Sequence, residues 1–411
     1  MGWSSIRLAA LSLCLSVTSL LAQPTSATHE REAAVAPSQP IASLPFELHA
    51  NKIYLSVHVN GQGPFPFVYD SGSGFAVLDE DLARELQIET QGSFQVGGAG
   101  AGRMTGSLAQ GVRFSCDGHD FGADPTLILP LDRHLRSTTG RRLAGLIGNY
   151  LPRRFTLAID YARSRIDLFE VIGFVHDGSG VELPAEFEGG HVLVRATVTP
   201  LDGPAIEGRF ILDTGARLAM SLNAPFVRQN SLLRGGELKT IVGHGIGGRV
   251  EHAVTRLDHL RLGDIVIEDP ITTLSEDADG VLASSRAAGI LGADILRKFT
   301  VIFDHRRARV ILVPNASLPA PVEFDMSGLW FEAEGEAMDC LRIVHVVPGS
   351  AGAEAGLQED DVIVGLEEAP SPLRRSDVVE LLRSGDGRSL HLKVRRQDET
   401  RDVLLTLRRQ I

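Results

Sequence analysis

Cysteine is scarce, and this limits how the fold can be held together. Of the three cysteines in 411 residues, Cys14 lies in an apolar amino-terminal stretch, which leaves Cys116 and Cys340. These two fall in different predicted domains, so two unpaired thiols are a simpler interpretation than the disulfide that an exported protein would permit. The chain has room for roughly three domains, each stabilised by its own apolar core.

Positive charge is in deficit. The formal net charge is −12, and basic residues such as Arg374-Arg375 and Arg408-Arg409 stand in isolated pairs. No basic block is long enough to follow a phosphate backbone, so we exclude nucleic acid as a partner.

Long apolar runs are lacking beyond the amino terminus. Residues 8–22 are uncharged and apolar and follow one basic residue, Arg7, which is the layout of a secretory signal peptide and is too short for a stable membrane span. We expect residues 1–22 to direct export to the periplasm or out of the cell. Residues 23–45 are rich in Pro, Ala, Ser and Thr, which predicts a disordered linker.

Trp and Tyr are also few, with 2 and 4 residues against 43 Gly and 20 Pro. This balance favours many short strands and turns over long helices. Helical patterns are clearest at residues 79–86 and 376–383. We therefore expect a mainly β protein.

Two short acidic loops are the strongest signal in the chain. An Asp-Ser-Gly triplet begins at Asp70 and an Asp-Thr-Gly triplet begins at Asp213, each directly after an apolar run. An apolar-apolar-Gly triplet ends 78 positions after the first acid, at Gly148, and 79 positions after the second, at Gly292. A predicted hairpin, residues 153–169, recurs 144 positions later. The chain therefore contains two copies of one unit.

Two carboxylates held together can hydrolyse an amide with water. One takes a proton from the water while the other gives a proton to the carbonyl oxygen or the leaving amine. Repulsion between like charges raises one proton affinity, so such a pair shares one proton over a broad pH range. A single triplet usually marks an ordinary turn. Two triplets in a duplicated frame predict one catalytic site formed by Asp70 and Asp213.

On these residues the chain resembles the aspartic protease superfamily, in particular bacterial relatives of the retroviral proteases, fused as a tandem pair. The resemblance implies two pseudo-symmetric β-barrel lobes, residues 46–175 and 181–314, which form a pseudo-dimer within a monomer. It implies a peptide or protein substrate and no cofactor or metal. The residues that it implies as supports of the dyad are Ser71, Gly72, Ser73, Thr214, Gly215, Ala216, Gly148 and Gly292.

Both copies contain a Gly-dense segment, residues 96–102 and 242–248. Such a segment can form a mobile hairpin tip, because Gly accepts positive φ and lets a backbone lie close to a ligand. A G-x-G-x-x-G match in the second segment is not a dinucleotide motif, since a predicted strand follows it instead of a helix. The resemblance implies one flap per lobe, with the glycines Gly97, Gly98, Gly100, Gly243, Gly245 and Gly247.

Residues beside the two triplets make the predicted dyad asymmetric. Ser73 is expected to donate to the dyad and favour its ionised form, whereas Ala216 has no donor in its side chain. Arg217 follows, and it either turns away into an ion pair or lowers the proton affinity of the dyad. The sequence leaves both alternatives open.

Residues 322–411 resemble a PDZ domain through the run Gly328, Leu329, Trp330 and Phe331. The resemblance implies that amides of this loop bind the carboxylate of a protein C-terminus, while that peptide, or an internal one, adds a strand beside Phe331. Ordinary core packing is the alternative role of the three apolar residues.

These patterns together predict an exported aspartic endopeptidase with a PDZ domain that binds peptide tails or regulates access. One alternative is a non-catalytic peptide-binding protein of the same fold. Another is a narrow processing enzyme with a single exported substrate.

Overall fold

The computed structural model describes residues 37–100, 102–122, 125–235 and 237–411. The predicted signal peptide, the predicted linker up to residue 36, and Ala101 of the first predicted flap lie outside the described residues.

The first copy of the repeat folds into short strands and short helices. Its strands are β1 (Ala42–Pro45), β2 (Glu47–His49), β3 (Lys52–Val59), β4 (Gln62–Tyr69), β5 (Ala76–Asp79), β6 (Gln91–Gly97), β7 (Arg103–Ala109), β8 (Phe114–Cys116), β9 (His119–Gly122), β10 (Thr126–Leu129), β11 (Gly145–Ile147), β12 (Thr156–Asp160) and β13 (Arg165–Phe169). Its helices are α1 (Glu80–Glu85), α2 (Leu131–Thr139) and α3 (Leu151–Arg154). Strands β2 to β11 form one sheet, in the order β6-β7-β10-β5-β11-β4-β3-β8-β9 with β2 beside β3, and we call this sheet with α1 to α3 the first lobe.

The second copy repeats this plan. Its strands are β14 (Val181–Glu188), β15 (His191–Thr199), β16 (Ile206–Leu212), β17 (Met220–Leu222), β18 (Leu238–Gly245), β19 (Gly248–Arg256), β20 (His259–Leu262), β21 (Ile265–Glu268), β22 (Ile271–Leu274), β23 (Gly289–Leu291), β24 (Phe299–Asp304) and β25 (Arg309–Pro314). Its helices are α4 (Ala224–Gln229) and α5 (Ala293–Leu296), with 3-10 turns at Val281–Ala283 and His305–Arg307. We call β15 to β23 with α4 and α5 the second lobe.

The repeated hairpins join the two lobes. The β12–β13 hairpin lies beside the β24–β25 hairpin, and β12 pairs antiparallel with β24, so that Leu157 faces Phe303 and Asp160 faces Thr300. The outer neighbours are β1 and β14, which gives the order β1-β13-β12-β24-β25-β14. Because each copy contributes the same elements in mirrored order, the seam has the pseudo-twofold symmetry that a duplicated unit allows.

Residues that follow the seam form a separate small domain. Its strands are β26 (Leu329–Glu334), β27 (Cys340–Val346), β28 (Val362–Leu366), β29 (Ser389–Arg396) and β30 (Glu399–Thr406), and its helices are α6 (Ala351–Glu354) and α7 (Arg375–Leu381). The strands pair in chain order, so β26 is an edge strand. The domain has a hydrophobic core of its own. The expected mainly β fold, with two lobes and a third domain, is confirmed.

The expectation of a linker up to residue 45 is wrong at its end. Strand β1 pairs with β13, and Ala42 and Leu44 are buried while Ser43 and Pro45 are exposed. This alternation is the pattern of a half-buried strand, and the Pro- and Ser-rich surroundings masked it in the sequence. Cys116 and Cys340 are both free thiols. No helix in the described ranges is long and apolar enough to cross a membrane.

Candidate active site

Each predicted acid follows a strand whose last residues are mostly buried and which a second strand supports. Asp70 comes directly after β4, and Asp213 comes directly after β16. Strands β11 and β23 run parallel to these two, and the amides of the acids donate to the carbonyl oxygens of Ile147 (2.9 Å) and Leu291 (3.0 Å). The backbone of each acidic loop is therefore fixed by its own lobe.

The glycines after β11 and β23 are required by close packing. A Cβ atom on Gly148 would lie 2.1 Å from the carbonyl oxygen of Phe75, and one on Gly292 would lie 2.1 Å from that of Leu218. Both neighbours are backbone atoms, which have no free rotamer with which to move away. The two apolar-apolar-Gly triplets thus run directly against the acidic loops.

The hydroxyls of Ser71 and Thr214 lock the two loops to each other. The Ser71 hydroxyl accepts from the Thr214 amide (3.0 Å) and donates to the Leu212 carbonyl (2.8 Å). The Thr214 hydroxyl accepts from the Ser71 amide (3.0 Å) and donates to the Tyr69 carbonyl (3.0 Å). Ser71 and Thr214 are both fully buried, so water does not compete for these four bonds.

This lock brings the two carboxyl groups together. Each acid lies against the glycine of the opposite loop. A Cβ atom on Gly72 would lie 2.5 Å from the Asp213 carboxyl carbon, and one on Gly215 would lie 2.5 Å from that of Asp70. Glycine is therefore needed after each acidic dipeptide, because any side chain there would occupy the place of the opposite acid.

The surroundings of the two acids differ. Burial, and secondly the negative charge of Asp213, raise the pKa of Asp70 to about 7. Asp70 accepts one local amide bond, from Gly72 (2.9 Å). Asp213 accepts two, from Gly215 (2.8 Å) and Ala216 (3.1 Å). Because amide donors stabilise a carboxylate, the loop of Asp213 offers its acid more stabilisation than the loop of Asp70 does.

The expected contribution of Ser73 is wrong. Its hydroxyl donates to the carbonyl oxygen of Phe75 (2.9 Å) and not to the dyad. The asymmetry comes from the other loop, where the backbone amide of Ala216 supplies the additional donor. Residue types show only side-chain donors, and the Ser73 hydroxyl therefore predicted the donor in the wrong lobe.

A turn of the first lobe supports the second acidic loop, and no sequence pattern indicates this contact. Lys52, at the start of β3, donates to the carbonyl oxygen of Gly215 (2.5 Å). Its neighbour Asn51 donates to the carbonyl oxygen of Arg217 (3.0 Å) and to the buried carboxylate of Asp294 (2.7 Å). Burial lowers the pKa of Lys52, while the charge of Asp70 opposes this effect. Lys52 thus places a cation beside the dyad.

The second lobe contributes a matching turn beside the first acidic loop. A Cβ atom on Gly74 would lie 3.2 Å from the Cα atom of Gly190, and the carbonyl oxygen of Gly190 accepts from Asn149 (3.0 Å). His191 follows, and burial lowers its pKa while Asp70 opposes the shift. The turns before β3 and β15 are therefore equivalent parts of the repeat, each supporting the loop of the other lobe.

The two predicted flaps are hairpins whose tips touch. The β6–β7 and β18–β19 hairpins meet where Gly102 donates to Gly247 (2.8 Å) and Gly247 donates to Ala99 (2.7 Å). A Cβ atom would come within 3.0 Å of the opposite tip at Gly98, Gly100, Gly245 and Gly247, whereas Gly97 and Gly243 face open space. Four of the six predicted flap glycines therefore permit the contact between the tips, and two do not take part in it.

Arg217 turns away from the dyad, and among the residues that the structure describes it forms no ion pair. Its guanidinium carbon lies 5.6 Å from the ring centre of Trp330 in the third domain. Burial lowers the pKa of Arg217 to about 10. Of the two alternatives from the sequence, the first predicted that Arg217 turns away into an ion pair. Arg217 does turn away, but it lies beside an aromatic ring and not an acid.

The predicted carboxylate-binding loop is partly used by the protein itself. The Gly328 amide donates to Asp325 (2.7 Å), and the Leu329 amide donates to the Ser327 hydroxyl (3.1 Å). Leu329 and Phe331 belong to the domain core. Two of the expected amide donors are therefore engaged, and Trp330 is the half-buried member of the run.

Comparison with known families agrees with these observations. The aspartyl protease family matches residues 55–151 and 195–295, one segment in each lobe, and the segments include Asp70 and Asp213. The PDZ domain family matches residues 342–396, which excludes the run from Gly328 to Phe331. A search of curated proteins finds no match for the chain.

Proposed function

Starting from a chain that has two aspartyl protease segments and a C-terminal PDZ segment, we propose that it is an exported aspartic endopeptidase whose catalytic residues are Asp70 and Asp213. The observation that carries the proposal is the close approach of the two carboxyl groups, each against the glycine of the opposite loop, with the loops held by reciprocal bonds from Ser71 and Thr214. A shared proton between two acids provides a base and an acid in one site.

The unequal surroundings assign the two chemical steps. Asp213, with two amide donors, takes a proton from the attacking water, while Asp70 protonates the carbonyl oxygen of the scissile bond. When the tetrahedral diol collapses, the proton on Asp213 passes to the leaving amine, and a diol hydroxyl returns a proton to Asp70. The pair ends with one shared proton, as it began.

Substrate access requires that the flaps separate. The tips are joined by two backbone hydrogen bonds, which are replaceable by a peptide that lies beneath them. The PDZ domain is proposed to bind the tails of peptides or to regulate this access. Export by residues 1–22 is tested by fusing residues 1–27 to a reporter enzyme that is active only outside the cytoplasm.

The proposal is tested with a mixed peptide library incubated from acidic to neutral pH, with new peptide termini read by mass spectrometry. Asp70→Asn and Asp213→Asn should each lower the cleavage rate by at least about a thousand-fold, which is ~4 kcal/mol of transition-state stabilisation. Asp202→Asn, a change at an exposed acid, is the matched control and should cleave as the wild type does.

A statine-type transition-state analogue distinguishes the alternatives. Binding of the analogue without library cleavage indicates the narrow processing enzyme, and binding of library peptides without new termini indicates the non-catalytic receptor. Full activity in either folded Asn variant would remove the proposed mechanism.

A further inference from the structure

The space between the acidic loops and the flaps has two ends that the repeat makes equivalent. One end is bounded by residues 70–75 and β6. The other end is bounded by residues 213–218 and β18, which line one cavity. Phe75 and Leu218 hold matching places, because the carbonyl oxygen of each would lie 2.1 Å from a Cβ atom on the supporting glycine of its lobe. The surroundings of the two ends can therefore be compared directly.

The third domain covers the end that belongs to the second lobe. The guanidinium carbon of Arg217, in the acidic loop, lies 5.6 Å from the ring centre of Trp330. Arg249 of the second flap forms an ion pair with Glu332 of β26 (3.5 Å). Helix α2 of the first lobe also packs on β26. The third domain is thus fixed to the loop and the flap of this end, and to the opposite lobe.

The end that belongs to the first lobe faces solvent. Phe75 is 53% exposed, whereas its counterpart Leu218 is half-buried and lines the cavity beside the third domain. Residues 91–93 at the start of β6 are exposed, while Thr240 and Ile241 of β18 are 6% and 8% exposed. The two ends of a nearly symmetric cleft therefore differ because one of them is covered.

The covered end retains a cavity of about 890 Å³. Leu218 and Ile241 line it from the second lobe, and Leu329 and Trp330 line it from the third domain. This volume is typical of pockets that hold one small ligand. A long extended chain advances ~3.3 Å per residue and needs a continuous groove. The covered end therefore has room for a short stretch of peptide, and the third domain lies where a longer stretch would continue.

We propose that the cleft is open at one end only, so that the protein cuts its substrates a few residues from one terminus. This inference rests on the proposed function and adds a substrate class to it, namely chains with an extended terminal segment. The long part of the substrate leaves past Phe75 and β6, and the short part lies between Leu218 and Trp330. Each cleavage adds one water across an amide bond and releases one short peptide at the covered end.

The test uses peptides centred on statine, which has no scissile bond at the dyad, so the wild-type chain is used. The parent analogue has a dipeptide on each side of statine. Two longer analogues carry a Gly-Ser segment of about twelve residues, ~40 Å when extended, on the amino side or on the carboxyl side. All three have acetyl and amide caps, so that terminal charge does not contribute.

Isothermal titration calorimetry should show that one extension is tolerated and the other is not. The tolerated extension should keep Kd within about two-fold of the parent analogue, and the excluded one should raise Kd at least about ten-fold, or ~1.4 kcal/mol. Equal effects of the two extensions would overturn the one-ended cleft.

Variants of Trp330 test whether the third domain is the obstacle. Trp330→Ala removes the ring from the cavity wall and should reduce the ten-fold penalty at least about three-fold. Trp330→Phe keeps an aromatic ring and is the matched control, which should keep the penalty. The parent analogue should bind both variants as it binds the wild type, which checks their folding. An unchanged penalty in Trp330→Ala would overturn the assigned obstacle.

A photo-crosslinker locates the open end. Benzoylphenylalanine in the tolerated extension should crosslink to the segments that contain Phe75 or β6, and a crosslink to the third domain instead would overturn the assignment. Unfolded protein substrates give a reading from cleavage itself. Early products should be short peptides from one terminus, and early internal fragments would contradict the proposal.

Failure of this inference differs from failure of the proposed function. Cleavage with equal binding of both extended analogues would refute the one-ended cleft and leave the protease proposal standing. Unequal binding in a chain that cleaves nothing would support the one-ended cleft and count against catalysis. If the parent analogue does not bind and no peptide is cleaved, both proposals fail.

Discussion

Removal of the Thr214 hydroxyl tests whether the lock between the loops holds the dyad together. This hydroxyl accepts from the Ser71 amide and donates to the Tyr69 carbonyl, both at 3.0 Å. Thr214→Ala removes both bonds, and water has no access to replace them because Thr214 is fully buried. Thr214→Ser keeps the hydroxyl and loses only a methyl group, so it is the matched control.

The expected cost follows from these contacts. An unpaired buried amide costs about 1 to 3 kcal/mol, and a second lost hydrogen bond costs about 1 kcal/mol. One buried methyl group contributes about 0.8 kcal/mol. Thr214→Ala should therefore lower the free energy of unfolding by about 3 to 5 kcal/mol, against about 1 kcal/mol for Thr214→Ser. Ser71→Ala should lower the free energy of unfolding by about 2 to 4 kcal/mol, since Ser71 makes the equivalent bonds but has no methyl group to lose.

Urea unfolding followed by far-UV circular dichroism gives the stability, and steady-state cleavage of a reporter peptide gives kcat. A displacement of the acids by 1 Å is expected to lower kcat by about a hundred-fold in Thr214→Ala. If Thr214→Ala equals Thr214→Ser in both stability and kcat, the reciprocal bonds do not position the dyad, and the reasoning fails.

Three further predictions concern the flaps and the charges of the site. Gly247→Ala should raise KM at least about three-fold (~0.6 kcal/mol), because its Cβ atom would lie 2.3 Å from the carbonyl oxygen of Gly100. Gly243 faces open space, so Gly243→Ala should match the wild type in steady-state kinetics. Burial raises the pKa of Asp70 to about 7, so the folded chain keeps a proton that the unfolded chain releases near pH 4. The contribution of Asp70 to the free energy of unfolding is therefore lost as pH rises from about 4 to about 7. In urea unfolding, Asp70→Asn should lose less stability over this pH range than the wild type does. An equal loss of stability in both chains would mean that other groups cause it. Lys52→Met removes a cation that lowers the pKa of Asp70, so the pH profile of kcat/KM should move to higher pH, and an unmoved profile would show that Lys52 does not act on the dyad.

Local patterns were sufficient to predict the two acidic loops and the repeat. The apolar runs before Asp70 and Asp213 form strands, and the glycine of each triplet lies close to the acid of the opposite loop. These features depend on neighbours in sequence and on the period of the duplication. Strand β1 was not predicted, because its two buried residues in a Pro-rich segment form too short a pattern.

Contacts between distant residues decided the rest. The dyad is asymmetric because of the Ala216 amide and not because of the Ser73 hydroxyl. The type of a residue does not show whether its backbone amide donates to a side chain. Lys52 lies beside a loop more than 160 residues further along the chain. The partner of Arg217, Trp330, belongs to another domain.

By itself, the sequence determined which residues are able to share a proton and that the unit carrying them occurs twice, because local spacing encodes both. Which groups surround the two acids depends on the tertiary structure, which places the Ala216 amide and Lys52 beside them. Electrostatic energies depend on distance and burial, and these arise only when the lobes and the third domain pack together.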